Sequence, residues 1–274
     1  MSSIKIKNLV FSYKTQNNKN STKNIVIDEF FVKNGEIVGF FGPNYVGKTT
    51  LLKYISQIHK DFKVSNGSIF YDNRAYDKQN NIPLILYIPQ NYSSSIFPWF
   101  SIKSNLRIIM KSLDFSKELI EENVKEFCSD FGYSSEEALL KDYGFYQTDK
   151  LKQTSRIKNI NELSGGQKQI LTVLRTLMTS PNIITMDEPF SAIDIFKGIK
   201  FRKNVFDYLR KKKITTIIVS HELKEIIELS DKLVILNYDN VGRIIKGIEN
   251  SNVSENEIET FAIKIKERYN LNYV

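Results

Sequence analysis

The chain has 274 residues, 41% of them hydrophobic, enough to bury a sizeable core in one large domain. Its single cysteine, Cys128, excludes an internal disulfide and fits a reducing compartment. No apolar run reaches the roughly 18–20 residues that span a bilayer. The formal net charge is +8, but the lysines are spread out, and the densest run (Arg210-Lys211-Lys212-Lys213) closes a predicted helix where cations offset the dipole. The charge is read as a solvated surface with some attraction to an anionic membrane face, and no nucleic-acid binding is expected from it. The start, Met1 to Lys7, lacks the apolar stretch of a signal peptide, so a cytosolic chain is expected.

In chain order, residues 4 to 90 read as short β-prone runs, with Ile4, Ile6, Ile25, Ile27, Ile69 and Tyr71 among them, and one long helix. Glu36 to Phe41 is a buried strand. It runs into Gly42-Pro43-Asn44-Tyr45-Val46-Gly47-Lys48-Thr49-Thr50, and a helix opens at Thr50. This satisfies G-x-x-x-x-G-K-[ST] between a strand and a helix, the context the motif needs. Glycine lets backbone N–H groups approach phosphate oxygens, and the helix N-terminus adds partial positive charge. Lys48 is expected to reach the β- and γ-phosphates, and the Thr49 hydroxyl to ligate Mg²⁺.

Between 91 and 162 the pattern turns helical. Leu119, Ile120, Val124, Phe127, Cys128 and Phe131 fall near helical spacing over Lys117 to Phe131. Asp142 to Ile160 is polar and tyrosine-rich, and a disordered extra loop is the expectation there. From 165 to 247 helix and strand alternate, which implies a mostly parallel sheet. One strand, Asn182 to Met186, ends in Asp187-Glu188. Successive strand side chains point to opposite faces, so two adjacent acids serve different roles. Asp187 is the candidate Mg²⁺ ligand, and Glu188 the general base or water-positioning group. A β-rich run, Thr215 to Val219, leads to His221. His59, the other histidine, reads as an ordinary surface residue. In the tail, Ile258, Phe261, Ala262, Ile265 and Tyr269 form an apolar helical stripe expected to pack back on the core.

Leu163-Ser164-Gly165-Gly166-Gln167 lies between these two motifs. With it, the chain resembles the nucleotide-binding subunits of ABC-type ATPases over roughly residues 4 to 247. The resemblance implies the α/β P-loop NTPase fold of that family: a mostly parallel sheet, an antiparallel β portion and an inserted helical subdomain. On that basis residues 1–90 and 168–250 form the ATP-binding core, 91–167 the helical subdomain ending in the signature, and 251–274 a helical tail. The resemblance assigns Tyr13 to adenine stacking, Gln90 to sensing Mg²⁺ and facing the permease, Ser191-Ala192-Ile193-Asp194 to the D-loop, His221 to the γ-phosphate and Arg175 to the helix after the signature. It also implies that two subunits sandwich two ATP molecules head to tail. Ser164, Gly165, Gly166 and Gln167 of one then meet the γ-phosphate held by the other. One chain with one copy of each motif must therefore pair with itself or with a paralogous ATPase. The expected cofactors are ATP and Mg²⁺. The expected partners are integral-membrane permease subunits, with or without an extracytoplasmic solute-binding protein, on the cytoplasmic side of the membrane.

Ile96-Phe97-Pro98-Trp99-Phe100-Ser101-Ile102 and Asp187-Glu188-Pro189-Phe190-Ser191-Ala192-Ile193-Asp194 resemble the matching segments of nitrate, sulfonate and taurine importer ATPases. An importer motor with ATPase activity is the expectation, and Trp99 a candidate anchor for the permease. The alternatives are a soluble ABC ATPase acting on nucleic acid or ribosomes, and an exporter ATPase. One cassette without sustained heptads argues against the first of these, and the Phe-Pro-Trp segment against the second. Three positions depart from the family pattern: Tyr45 and Val46 stand where glycine and a small residue are usual, and Ile170 where arginine is common. A strained loop at Tyr45 and a slow or unusual ATPase are one expectation. For Ile170 the expectation is altered packing.

Overall fold

The computed structural model describes residues 2–14, 22–44, 46–58, 63–75, 83–149, 154–236, 243–245, 263 and 267. It divides into two units. The first holds Met1–Tyr87, Asn182–Glu188 and Lys213–Val274, and the second Ile88–Pro181 and Pro189–Lys212.

In the first unit, β1 (Ile4–Lys14) and β2 (Thr22–Val32) form an antiparallel pair. Strands β4 (Lys63–Tyr71) and β5 (Arg74–Ala75) extend it in the order β2-β1-β4-β5. The alternation of Ile4, Ile6 and Phe30, Val32 puts these side chains on one buried face. A second sheet has the order β12-β11-β3-β10-β9-β6. It is built from β3 (Ile37–Phe41), β6 (Ile85–Ile88), β9 (Ile183–Asp187), β10 (Thr215–Val219), β11 (Lys232–Ile235) and β12 (Arg243–Ile245). Pairings β11–β3, β3–β10 and β10–β9 are parallel, and β12 is antiparallel to β11. Every residue of β3, β9 and β10 is buried, which explains why these strands read as continuous apolar runs rather than alternating ones. Helix α1 (Lys48–Ile55) packs on β9 and β10, and α7 (Leu223–Leu229) on β3 and β11. One apolar core joins both sheets through Ile6, Phe30, Phe40, Leu52, Ile217 and Val234.

The second unit contains α2 (Ile102–Ser112), α3 (Lys117–Asp130), α4 (Glu136–Asp142), α5 (Gly165–Met178) and α6 (Ile195–Lys212). Ser101, Ser116, Ser135 and Ser164 cap α2, α3, α4 and α5, each hydroxyl accepting a first-turn amide. Arg107 on α2 forks between Glu121 of α3 (2.9 and 3.0 Å) and Glu136 at the start of α4 (2.6 and 3.0 Å). Ile170 is buried on α5.

Two expectations are corrected. The helix after the glycine loop is short, not long: α1 has eight residues. Its end is set where Gln57 takes a left-handed backbone (φ 61) and the Tyr71 hydroxyl donates to the Ile55 carbonyl at 2.6 Å. The disordered loop expected over Asp142 to Ile160 is also replaced. Strands β7 (Tyr146–Asp149) and β8 (Thr154–Ile157) pair antiparallel, with Tyr146 opposite Ile157 and Gln147 opposite Arg156. The base of this hairpin is anchored by buried Tyr143 and Phe145, and by the Lys158 amide donating to the Phe145 carbonyl at 2.9 Å. Of the tail, Ile263 and Glu267 are described, both helical; the expected stripe of Ile258, Phe261, Ala262, Ile265 and Tyr269, like His59, lies outside the described residues.

Candidate functional site

Strand β3 delivers the chain to Gly42. A β-carbon added there would lie 2.3 Å from the Leu236 carbonyl oxygen, so only glycine lets the loop pass β11's end. The loop ends at Gly47 (φ 105), which opens α1. Lys48 is the first helical residue and is 7% exposed. Its Nζ donates to the carbonyls of Gly42 (2.7 Å) and Pro43 (3.0 Å), so the ammonium lies across the loop. Burial lowers the Lys48 pKa, and the carboxylates of Glu188 and Asp187 oppose that shift. Val46 is buried. Tyr45 lies outside the described residues, and the strain expected there with it.

Asp187 ends β9 at 1% exposure. Its Oδ2 accepts from Thr49 Oγ1 at 2.7 Å and from the Tyr87 hydroxyl at 3.3 Å. Burial pushes its pKa up, offset in part by those hydroxyls and by Lys48 and His221. Glu188 follows in a left-handed backbone (φ 50), pinned by its amide donating to the Val219 carbonyl at 2.9 Å. An uncommon backbone in a non-glycine residue is found where the surroundings over-determine it. The turn points the Glu188 carboxylate at His221, and Oε1 meets Nε2. The first unit thus gathers the loop at 42–50, Asp187, Glu188 and His221. Tyr13 is on β1, opposite Lys23; its side chain lies outside the described residues.

The other sequence-predicted residues belong to the second unit. Gln90 is exposed on the turn after β6, its carbonyl accepting from the Tyr92 amide at 3.1 Å. Ser164 and Gln167 form a capping box at the start of α5: Ser164 Oγ accepts from the Gln167 amide (3.3 Å), and Gln167 Oε1 from the Ser164 amide (3.0 Å). Gln167 Nε2 also donates to the Gly144 carbonyl at 2.7 Å, tying the signature to the base of the β7–β8 hairpin. Gly166 packs so closely that a β-carbon would lie 2.7 Å from the Ala192 carbonyl oxygen. Gln169 Oε1 accepts from the Ala192 amide at 2.7 Å, so signature and D-loop form one packed piece. Asp194 lies at the N-terminus of α6, accepting the Gly198 amide on its carbonyl at 2.7 Å. Arg175 is buried, donates through Nη1 to the Ser95 carbonyl at 2.6 Å, and has its pKa lowered by burial to about 10.

Sequence reasoning missed Tyr87. It stands three residues before Gln90, but nothing in a strand sequence shows that a phenol will reach the acid that ends the neighbouring strand.

The donor set suits Mg²⁺ with a nucleotide. Thr49 Oγ1 and Asp187 Oδ2 are hard oxygen donors on adjoining elements. Among the described residues no three His, Cys, Asp or Glu side chains form a metal cluster. An ion held by these two oxygens would leave positions open to phosphate oxygens and water, as Mg²⁺ at phosphates usually has.

A strand, glycine loop and helix with a buried lysine, beside a strand ending in Asp-Glu, defines an α/β P-loop nucleotide-binding fold. The family model described as "ABC transporter" matches residues 27–191. A curated relative, the spermidine/putrescine import ATP-binding protein PotA of Borreliella afzelii, is 30% identical over 85% of this chain and 60% of its own. The aliphatic sulfonates import ATP-binding protein SsuB of Bacillus cereus is 28% identical over 81% of this chain and 76% of its own. The dimeric ATP-binding cassette MJ0796 with ADP and Pi covers 91% of this chain and 100% of that chain at 20% identity, with a TM-score of 0.65, and shares the fold. The chain belongs to the ATP-binding family of ABC transporters. It spans 60% of the length of the first curated relatives it matches.

Proposed function

We propose that this chain binds and hydrolyses ATP as the motor subunit of an importer, driving a separate membrane permease for a small solute of the nitrate, sulfonate or taurine-like class. The observation that carries this reading is the set gathered in the first unit: Lys48 across the glycine loop, Thr49 on Asp187, and Glu188 against His221. In this reading the loop amides and Lys48 hold the β- and γ-phosphates. Thr49 and Asp187 would hold Mg²⁺, with Gln90 as a further ligand, and the ion would supply charge neutralisation to the phosphates. Glu188 positions or deprotonates the attacking water, and His221 holds Glu188 and meets the γ-phosphate. Tyr13 stacks on adenine. Ser164, already turned to accept from Gln167, keeps its hydroxyl proton to donate, and Gly165 and Gly166 add first-turn amides. These act on ATP held by a second copy or a paralogue, a reading supported by the dimeric state named for the MJ0796 cassette. Residues 1–90 and 168–250 are assigned to the core, 91–167 to the helical subdomain and 251–274 to the tail.

The import relatives and the Phe-Pro-Trp segment support the importer reading. Trp99 is 74% exposed, with Phe97 and Phe100 beside it, an aromatic anchor for a permease. No helix among the described residues is long and apolar enough to cross a membrane. Membrane association is therefore assigned to the permease. The test is mass spectrometry of what co-purifies with the tagged chain from gently solubilised membranes. A polytopic permease is expected, with or without a solute-binding protein. Recovery on ribosomes or nucleic acid alone would overturn the reading.

A further inference from the structure

Tyr87 lies on β6, the strand beside β9 in the sheet. Its ring is partly buried against the core of the first unit. Its hydroxyl lies 3.3 Å from Asp187 Oδ2, the oxygen that also accepts from Thr49 Oγ1. Two donors from different elements, β6 and α1, thus converge on one carboxylate oxygen and fix the rotation of the group. They are not equivalent. Thr49 is itself an expected metal ligand, so its hydroxyl serves two partners once an ion is bound. Tyr87 is the donor that is not a ligand.

A phenol hydroxyl has one proton to give at neutral pH, and here it is aimed at Asp187 Oδ2. Groups of this kind, one step behind a metal ligand, orient the ligand, and losing one typically costs 10–100-fold in metal affinity. A tyrosine that only satisfied its own buried hydroxyl would leave metal affinity untouched.

We infer that Tyr87 is a positioning residue of the metal site, holding the Asp187 carboxylate in the orientation that receives Mg²⁺ beside a nucleotide. This rests on the ATP-site reading above.

The test uses Mn²⁺ as a spectroscopic probe with ADP, read by electron paramagnetic resonance, on wild type and Tyr87→Phe. The phenylalanine keeps the ring and removes only the donor. The variant is expected to raise the Mn²⁺ half-saturation roughly tenfold. ADP affinity in EDTA and the unfolding temperature should stay at wild-type values, and excess Mg²⁺ should restore turnover. Equal Mn²⁺ half-saturation in the two proteins overturns the inference. So does an equal loss of ADP affinity in EDTA, which would make Tyr87 a packing residue. Wild type that binds no Mn²⁺ in an ADP-dependent way overturns the underlying ATP-site reading instead.

Discussion

His221 Nε2 meets Glu188 Oε1 where β9 and β10 end side by side, a contact made possible by the left-handed backbone of Glu188. In the proposed ATP site, an imidazole on a carboxylate beside the glycine loop would handle one water. Glu188→Gln and His221→Ala are each expected to lower ATP turnover by about 10²–10⁴-fold with ATP binding retained. The double variant should be no worse than the poorer single, since groups acting as a unit are non-additive. Steady-state hydrolysis of the three proteins checks this; multiplicative losses would show the two act separately.

Gly42→Ala should destabilise the fold. Its β-carbon would meet a backbone oxygen, that of Leu236, which cannot swing away as a side chain can. The cost expected for such overpacking is about 2 kcal/mol, or a fall in Tm of roughly 4–8 °C. Thermal unfolding measures it, and an unchanged Tm would mean that the loop relaxes freely.

Asp130 gives a pH-dependent handle on the second unit. Lys211 Nζ lies 2.6 Å from its Oδ1 and Lys212 Nζ 2.5 Å from its Oδ2, and these ammonium groups lower its pKa. With the folded value below the unfolded value near 3.9, the contribution is complete above about pH 4 and is lost as pH falls through the folded value. Lys211 is largely exposed, so screening holds the effect to roughly 0.5–1 kcal/mol. Denaturant titrations of Asp130→Asn should show that deficit at pH 6–8 and a shrinking one as the pH is lowered below about 4. A deficit independent of pH would assign the effect to packing.

Trp99→Ala should leave the isolated chain within about 0.5 kcal/mol of wild-type stability, as exposed positions do. Recovery of the permease in pull-downs should fall sharply. Loss of stability without loss of recovery would make Trp99 a turn-pinning residue.

What could be read from the residues, and what could not, follows from physics. The buried strands β3, β9 and β10 are continuous apolar runs, and a glycine loop at the end of β3 has few alternative uses. The β7–β8 hairpin was hidden because its strands are largely polar, with Gln147-Thr148-Asp149 facing Thr154-Ser155-Arg156, and show no apolar alternation; what anchors it is Tyr143 and Phe145 at its base. The brevity of α1 was hidden because its stop is tertiary, the Tyr71 hydroxyl on the Ile55 carbonyl. The placement of Tyr87 on Asp187 depends on strand order, which no local pattern records.

The most direct test of the account is light scattering of Glu188→Gln with and without Mg²⁺-ATP. With hydrolysis blocked, the account predicts a shift from monomer to a dimer of twice the mass on adding ATP, reversed by removing the nucleotide. A Ser164→Ala control should weaken that dimer. A chain that binds ATP at saturation yet stays monomeric would contradict the proposal that two copies complete each other's sites.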